Sequence, residues 1–178
     1  MASRYGAREK GTDGSDFKFR ESVASQHTTS LAIKSRLRRY FAFNIIVGFA
    51  QIALYLISTL ELVKDAPKFL PEPWQAVLAL SALFSFIGIS ALPRNRSGLL
   101  KIHNIGLGLF GIGGLIWVFV SHFGEMQDLW DGEPVEELFS IPKVLLVYNF
   151  AVLTFALHMS TLMGTHTVLS VWDYRKSK

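Results

Sequence analysis

Cysteine is absent from the 178-residue chain. That excludes disulfides, thiolate zinc sites, prenylation and palmitoylation. Residue 2 is Ala2, so N-myristoylation, which needs glycine there, is excluded as well. Residues 1–30 hold no apolar run, so no cleaved signal peptide is expected and the first apolar span is predicted to act as an uncleaved signal-anchor. Formal charge is missing from long stretches. No Asp, Glu, Lys or Arg occurs in Phe41–Leu60, Trp74–Leu92, Ile102–Ser121 or Val144–Trp172. An ion-coupled transporter usually needs a charged residue at mid-membrane, and none is present. The 6 prolines lie in loops or at span ends, so no broken helices of inverted halves are indicated.

What is present is apolar sequence in blocks. Half the residues are hydrophobic and the mean hydropathy is positive despite a polar N-terminus. A helix of the length of Phe41–Leu60 is about 30 Å long, the thickness of the hydrocarbon core. The chain is therefore predicted to be all-α, an integral membrane protein with four transmembrane helices at 41–60, 74–92, 102–121 and 144–164. Pro73 suits the first turn of the second helix and Pro93 stops it. Residues 1–40 form a predicted cytosolic N-terminal segment. It is partly disordered over 1–14, with Ser15 as a cap and a weakly amphipathic helix over Phe17–Tyr40 that lies beside the membrane. Residues 165–178 form a predicted interfacial extension and basic cytosolic tail, with a tilted continuation of the span as far as Trp172 as the alternative. Residues 122–143 read as the longest loop, acidic except for Lys143.

Charge sets the orientation. With four spans, 15 of the 18 Lys and Arg residues fall on one side. The positive-inside rule places both termini and the Arg94–Lys101 loop in the cytosol. Trp74 and Trp130 then fall near the far interface, and Tyr40, Trp172 and Tyr174 near the cytosolic one, as an aromatic belt. Asn95-Arg96-Ser97 has the glycosylation pattern but is expected to stay unmodified on that side. The net charge of +4 belongs to membrane flanks, so no nucleic-acid partner is expected.

Chemistry-bearing motifs are few. Gly106, Gly108 and Gly111 spell a dinucleotide fingerprint, but inside an apolar helix it lacks the strand and free helix N-terminus that the fingerprint needs. The five glycines of this span predict close packing on more than one side. His103 and His122 are expected at the interfaces. His158 sits at membrane depth, where the expectation is a neutral imidazole hydrogen-bonded to Asn44, Gln51 or Asn149. No serine nucleophile, paired carboxylates, metal-ligand set or cofactor site is evident, so no enzyme activity, metal, cofactor or small-molecule substrate is expected. The cytosolic basic residues Lys34, Arg36, Arg38, Arg39, Arg94, Arg96 and Lys101 can attract anionic lipids. Arg175, Lys176 and Lys178 resemble a dilysine retrieval signal, which coatomer reads, with Arg175 in place of the first lysine.

The opening residues carry a resemblance. Met1-Ala2-Ser3-Arg4, then Gly6 and Arg8, then Gly11, Thr12, Asp13, Gly14, Ser15, Asp16 and Phe17, followed by Arg20-Glu21 and Val23-Ala24, resemble the start of the Jagunal family. The Pro93-Arg94-Asn95 turn is similar too. The resemblance implies a non-catalytic multi-pass protein of the endoplasmic reticulum membrane. It implies a role in vesicle-mediated transport in the early secretory pathway and in organising that membrane, with coatomer as partner. Two other readings stand beside it: a small membrane transporter or channel subunit built around His158, and a membrane-shaping protein whose N-terminal segment inserts in one leaflet.

Overall fold

A computed structural model describes residues 15–60 and 72–176. Four helices in it are long and apolar enough to cross a membrane: Ser30–Ile57, Pro73–Ala91, Ser97–Ser121 and Lys143–Trp172. The elements in chain order are α1 (Ser15–Thr59), α2 (Pro73–Ala91), α3 (Ser97–Gly106), a π-helical segment (Leu107–Ile112), α4 (Gly113–Ser121) and α5 (Phe123–Trp130). A two-strand hairpin, β1 (Glu137–Leu138) and β2 (Ile141–Pro142), precedes α6 (Lys143–Lys176).

Three boundaries differ from the sequence reading. The third span begins at Ser97, not at residue 102, because Lys101 sits inside its second turn and a charge there does not end a helix. The fourth span does not end at Gly164: of the two readings for residues 165–172, the continuation is the one present. Val168, Leu169 and Trp172 are buried in the bundle, so the packing surface runs on to Trp172. The 122–143 segment is not all loop: it contains α5 and the hairpin. Phe139 and Ser140 form the hairpin tip with φ of 54° and 62°, the left-handed pair that a two-residue turn requires.

The helix seams follow from spacing. On α1 the buried positions Leu37, Phe41, Asn44, Gly48 and Gln51 follow one another at alternating intervals of four and three, and Ser30 lies seven residues before them. On α6 the same rhythm runs through Ala151, Thr154, His158, Thr161, Thr165, Val168 and Trp172. That is the seam of near-parallel helices packing knobs into holes. α2 is the most buried of the four spans, and small side chains line it: Ala79, Ser81, Ala82, Ser85, Gly88 and Ala91. Small residues let backbones approach where lipid supplies no hydrophobic drive for association.

The core is divided. At the end of the bundle that carries the basic cluster, Leu37, Phe41, Leu92, Leu100, Val168 and Trp172 pack together. At the end that carries the acidic loop, Trp74, Leu78, Leu115, Val118 and Ala151 do so. Along the chain between these clusters many of the buried positions are polar, Asn44, Ser81, Ser85, His103, Thr154, His158, Thr161 and Thr165 among them, with Ala82 and Leu107 as apolar exceptions. The two apolar clusters therefore bracket a polar midsection.

Candidate functional site: two charged ends and a polar midsection

The acidic end is locked. Glu72 precedes α2 in an extended conformation, and its N–H donates to Gln75 Oε1 at 3.4 Å, fixing the helix start with Pro73. The Trp74 indole N–H donates to Glu72 Oε2. His122 Nε2, at the end of α4, lies 2.9 Å from the same oxygen. Lys143 Nζ, at the start of α6, lies 3.2 Å from Glu72 Oε1 and 2.9 Å from Glu136 Oε2. One carboxylate thus joins the ends of three spans. Burial alone pushes the Glu72 carboxyl up. The Trp74 N–H and the His122 and Lys143 side chains more than offset this and hold it below the ordinary carboxylate range.

Sequence reading missed this clasp. His122, just past the end of the third span, is 2% exposed, because its ring fills the space between Glu72, the Val118 carbonyl and Ser121 Oγ. One clue was available: Lys143 is the lone basic residue in an acidic stretch.

The midsection is tied by few bonds. Thr165 Oγ1 donates to Asn104 Oδ1 at 2.7 Å, joining α6 to α3. His103 is fully buried rather than interfacial, since the third span starts a turn earlier than charge suggested. Its Nδ1 lies 2.8 Å from the Phe84 carbonyl, and its ring meets Phe41 edge-on at 4.6 Å. His158 lies against Gly111 of the π segment, where an added Cβ would come within 2.8 Å of the imidazole. At Gly106 an added Cβ would collide with the Phe84 ring. So Gly106 and Gly111 of the fingerprint serve close helix packing on two sides, and the sequence reads as packing rather than nucleotide binding. Gly108 borders open space.

The expected hydrogen bond of His158 is not made. Among the described residues neither ring nitrogen has a partner, nor do the Asn44 amide, Gln51 Oε1 and His103 Nε2, and Asn149 is exposed. Each such buried group costs about 1–3 kcal/mol. No group of three or more His, Asp or Glu residues converges among the described residues.

The basic end brings most of the sequence-predicted residues together. Lys34 Nζ donates to Asn95 Oδ1 and stands 5.4 Å over the Trp172 ring. Asn95 takes φ of 51°, a left-handed value that asparagine tolerates, at the turn between α2 and α3. Leu31, Lys34, Ser35 and Arg38 face Leu92 and Pro93 across a cavity of about 310 Å³. On another face of α1, Arg36, Arg39 and Tyr40 line a second cavity with Phe43 and Leu157. Arg94 and Arg96 are exposed on the α2–α3 connection, and Lys101 is exposed on α3. The backbone of α6 is helical through Arg175 and Lys176, three and four residues past Trp172. Lys178 lies outside the described residues, as do Gly11, Thr12, Asp13 and Gly14 of the N-terminal motif. Ser15, Asp16 and Phe17 open α1.

Four apolar helices with lipid-facing side chains such as Phe43, Ile105, Leu109 and Leu153 define an all-α, multi-pass integral membrane protein. Comparison with known proteins narrows this. The family described as "Jagunal, ER re-organisation during oogenesis" matches residues 1–176. Protein jagunal homolog 1 of Homo sapiens is 31% identical over 173 residues, covering 97% of this chain and 94% of its own length. Protein jagunal homolog 1-B of Danio rerio is 32% identical over 173 residues, covering 97% and 94%. Protein jagunal of Drosophila melanogaster is 28% identical over 193 residues, covering 98% and 96%. The chain belongs to the Jagunal family, and membership supports a role in the organisation of the endoplasmic reticulum.

Proposed function

We propose that this protein is a non-catalytic resident of the endoplasmic reticulum membrane that supports vesicle-mediated transport in the early secretory pathway. In this reading both termini face the cytosol and coatomer is a partner through Arg175, Lys176 and Lys178. The whole-chain family match carries the reading. The structure supports the shared sidedness of the termini, because Lys34 of α1 and Trp172 of α6 meet at one end of the bundle. A helix that continues to Lys176 carries the basic tail out of the bundle at that end.

The test is localisation. In a tagged copy, changing Arg175 and Lys176 to Ser is expected to move the protein toward the Golgi or cell surface. Unchanged localisation removes the retrieval role. A protein glycosylated at Asn95 in cells removes the cytosolic assignment of that turn.

A second reading is favoured by one observation. His103, His158, Asn44 and Gln51 are buried with polar atoms that lack partners among the described residues, and such groups at membrane depth often serve translocation. Flux through reconstituted protein that is lost in His158→Ala would establish a transporter or channel subunit. Absence of flux leaves the trafficking reading.

A further inference from the structure

We propose that the groove between α1 and α6 at the basic end binds one anionic phospholipid molecule. Its walls are Arg36, Arg39, Tyr40 and Phe43 of α1 and Leu157 of α6, around a cavity of about 360 Å³. The α1 residues fall at intervals of three, one and three, so they form a single stripe along the helix. Arg36 to Phe43 spans about 10 Å of helix rise. The headgroup region of each leaflet is only about 5–8 Å deep. A stripe of that length crosses the boundary from headgroup to hydrocarbon, and its chemistry changes in step. Two guanidiniums and a phenol stand at one end, a phenylalanine and a leucine at the other.

The guanidiniums are available. Arg36 and Arg39 are exposed and have no hydrogen-bond or ion-pair partner among the described residues. A guanidinium presents a planar fork of donors that matches phosphate oxygens. The Tyr40 hydroxyl, half-buried beside them, can donate to the same phosphate. Phe43 is 59% exposed on the lipid-facing side of α1, where an acyl chain lies.

The other basic cavity fits less well. Lys34 is held there by Asn95 and Trp172, and Leu92 and Pro93 of the α2–α3 turn lie opposite. The positive-inside rule accounts for basic residues on this side, but not for two arginines without a partner among the described residues and a tyrosine, set above an apolar groove. The occupant carries negative charge and an acyl chain at once, which a phospholipid supplies and a free phosphate or an acidic peptide does not.

The inference rests on the membrane reading of the bundle, not on coatomer binding or on which compartment the termini face. The test uses the purified full chain, exchanged into mixed vesicles of phosphatidylcholine with a minor fraction of phosphatidylinositol, released into mild detergent and weighed by native mass spectrometry. The expected result is one retained phosphatidylinositol per chain in preference to phosphatidylcholine. At about 1 kcal/mol per basic residue, R36Q/R39Q should weaken retention about thirty-fold. R94Q/R96Q removes the same charge from the α2–α3 connection and should change it less than two-fold. Leu157→Trp keeps every charge and fills the groove, and should also lose the lipid. Circular dichroism of each variant verifies the helical fold. No preference in the unsubstituted chain, equal loss in both double variants, or retention in Leu157→Trp each overturns the proposal.

Discussion

The two ends of the bundle handle charge in opposite ways. At the acidic end, Glu72, His122, Lys143 and Glu136 come from separate segments and are joined within 3.2 Å. At the basic end Arg36, Arg38, Arg39, Arg94 and Arg96 stand without ion-pair partners among the described residues. The difference is one of purpose. Charges that close on one another hold helix ends in register, whereas charges left open cost little to keep and can meet something else. The midsection differs from both, being polar, uncharged and only partly satisfied.

The sharpest way to break this comparison is to remove the acidic clasp. Glu72→Ala leaves His122 and Lys143 facing each other without their shared carboxylate. The expected loss is about 3 kcal/mol, seen as a lower thermal midpoint in detergent. A midpoint unchanged from the parent would mean that the clasp holds nothing. The second test is Gly106→Leu, which drives a side chain into the Phe84 ring and should cost about 2 kcal/mol. Full stability there would show that α2 and α3 pack less tightly than described.

The midsection has the opposite sign. His158→Leu replaces an imidazole that has no hydrogen-bond partner among the described residues by an apolar side chain of similar size, and should raise stability by about 1 kcal/mol. A loss instead would reveal a partner that the imidazole meets in the membrane.

Acid should open the clasp and spare the basic end. The Glu72 carboxyl is held below its ordinary value of 4.5, so its contribution is present in full above that pH. The contribution falls away as pH drops through the lowered folded value. Thermal midpoints should therefore separate the parent from Glu72→Gln at neutral pH and converge at strongly acid pH. The smallest effect is expected from R94Q/R96Q, within about 0.5 kcal/mol of the parent, because exposed unpaired charges contribute little.

Much of this architecture could be read from residue order. Each span is an uncharged run too long for anything but a membrane or a deep core, so the number and order of the spanning helices followed at once. Their ends did not, because the Lys101 side chain lies on a turn that is already helical and Trp172 packs inside the bundle. Hydropathy marks where charge begins, while helices end where backbone partners run out. The burial of His158 was legible from its neighbours, but its want of a partner depends on the Gly111 backbone beside it and on where Asn44 points. The clasp was least legible. Glu72 and Lys143 stand 71 positions apart, and single charges in loops look like solvent contacts until the fold joins them.

One helix reaches further than a membrane requires. α1 has 45 residues, about 67 Å of rod, against a hydrocarbon core about 30 Å thick. Its helical length therefore exceeds a single crossing by roughly 35 Å. A stiff mast set in a bundle converts a small change of tilt at its foot into a large sweep at its tip. A load taken up at one end of such a rod is passed along it to α2 and α6, the helices that pack against it.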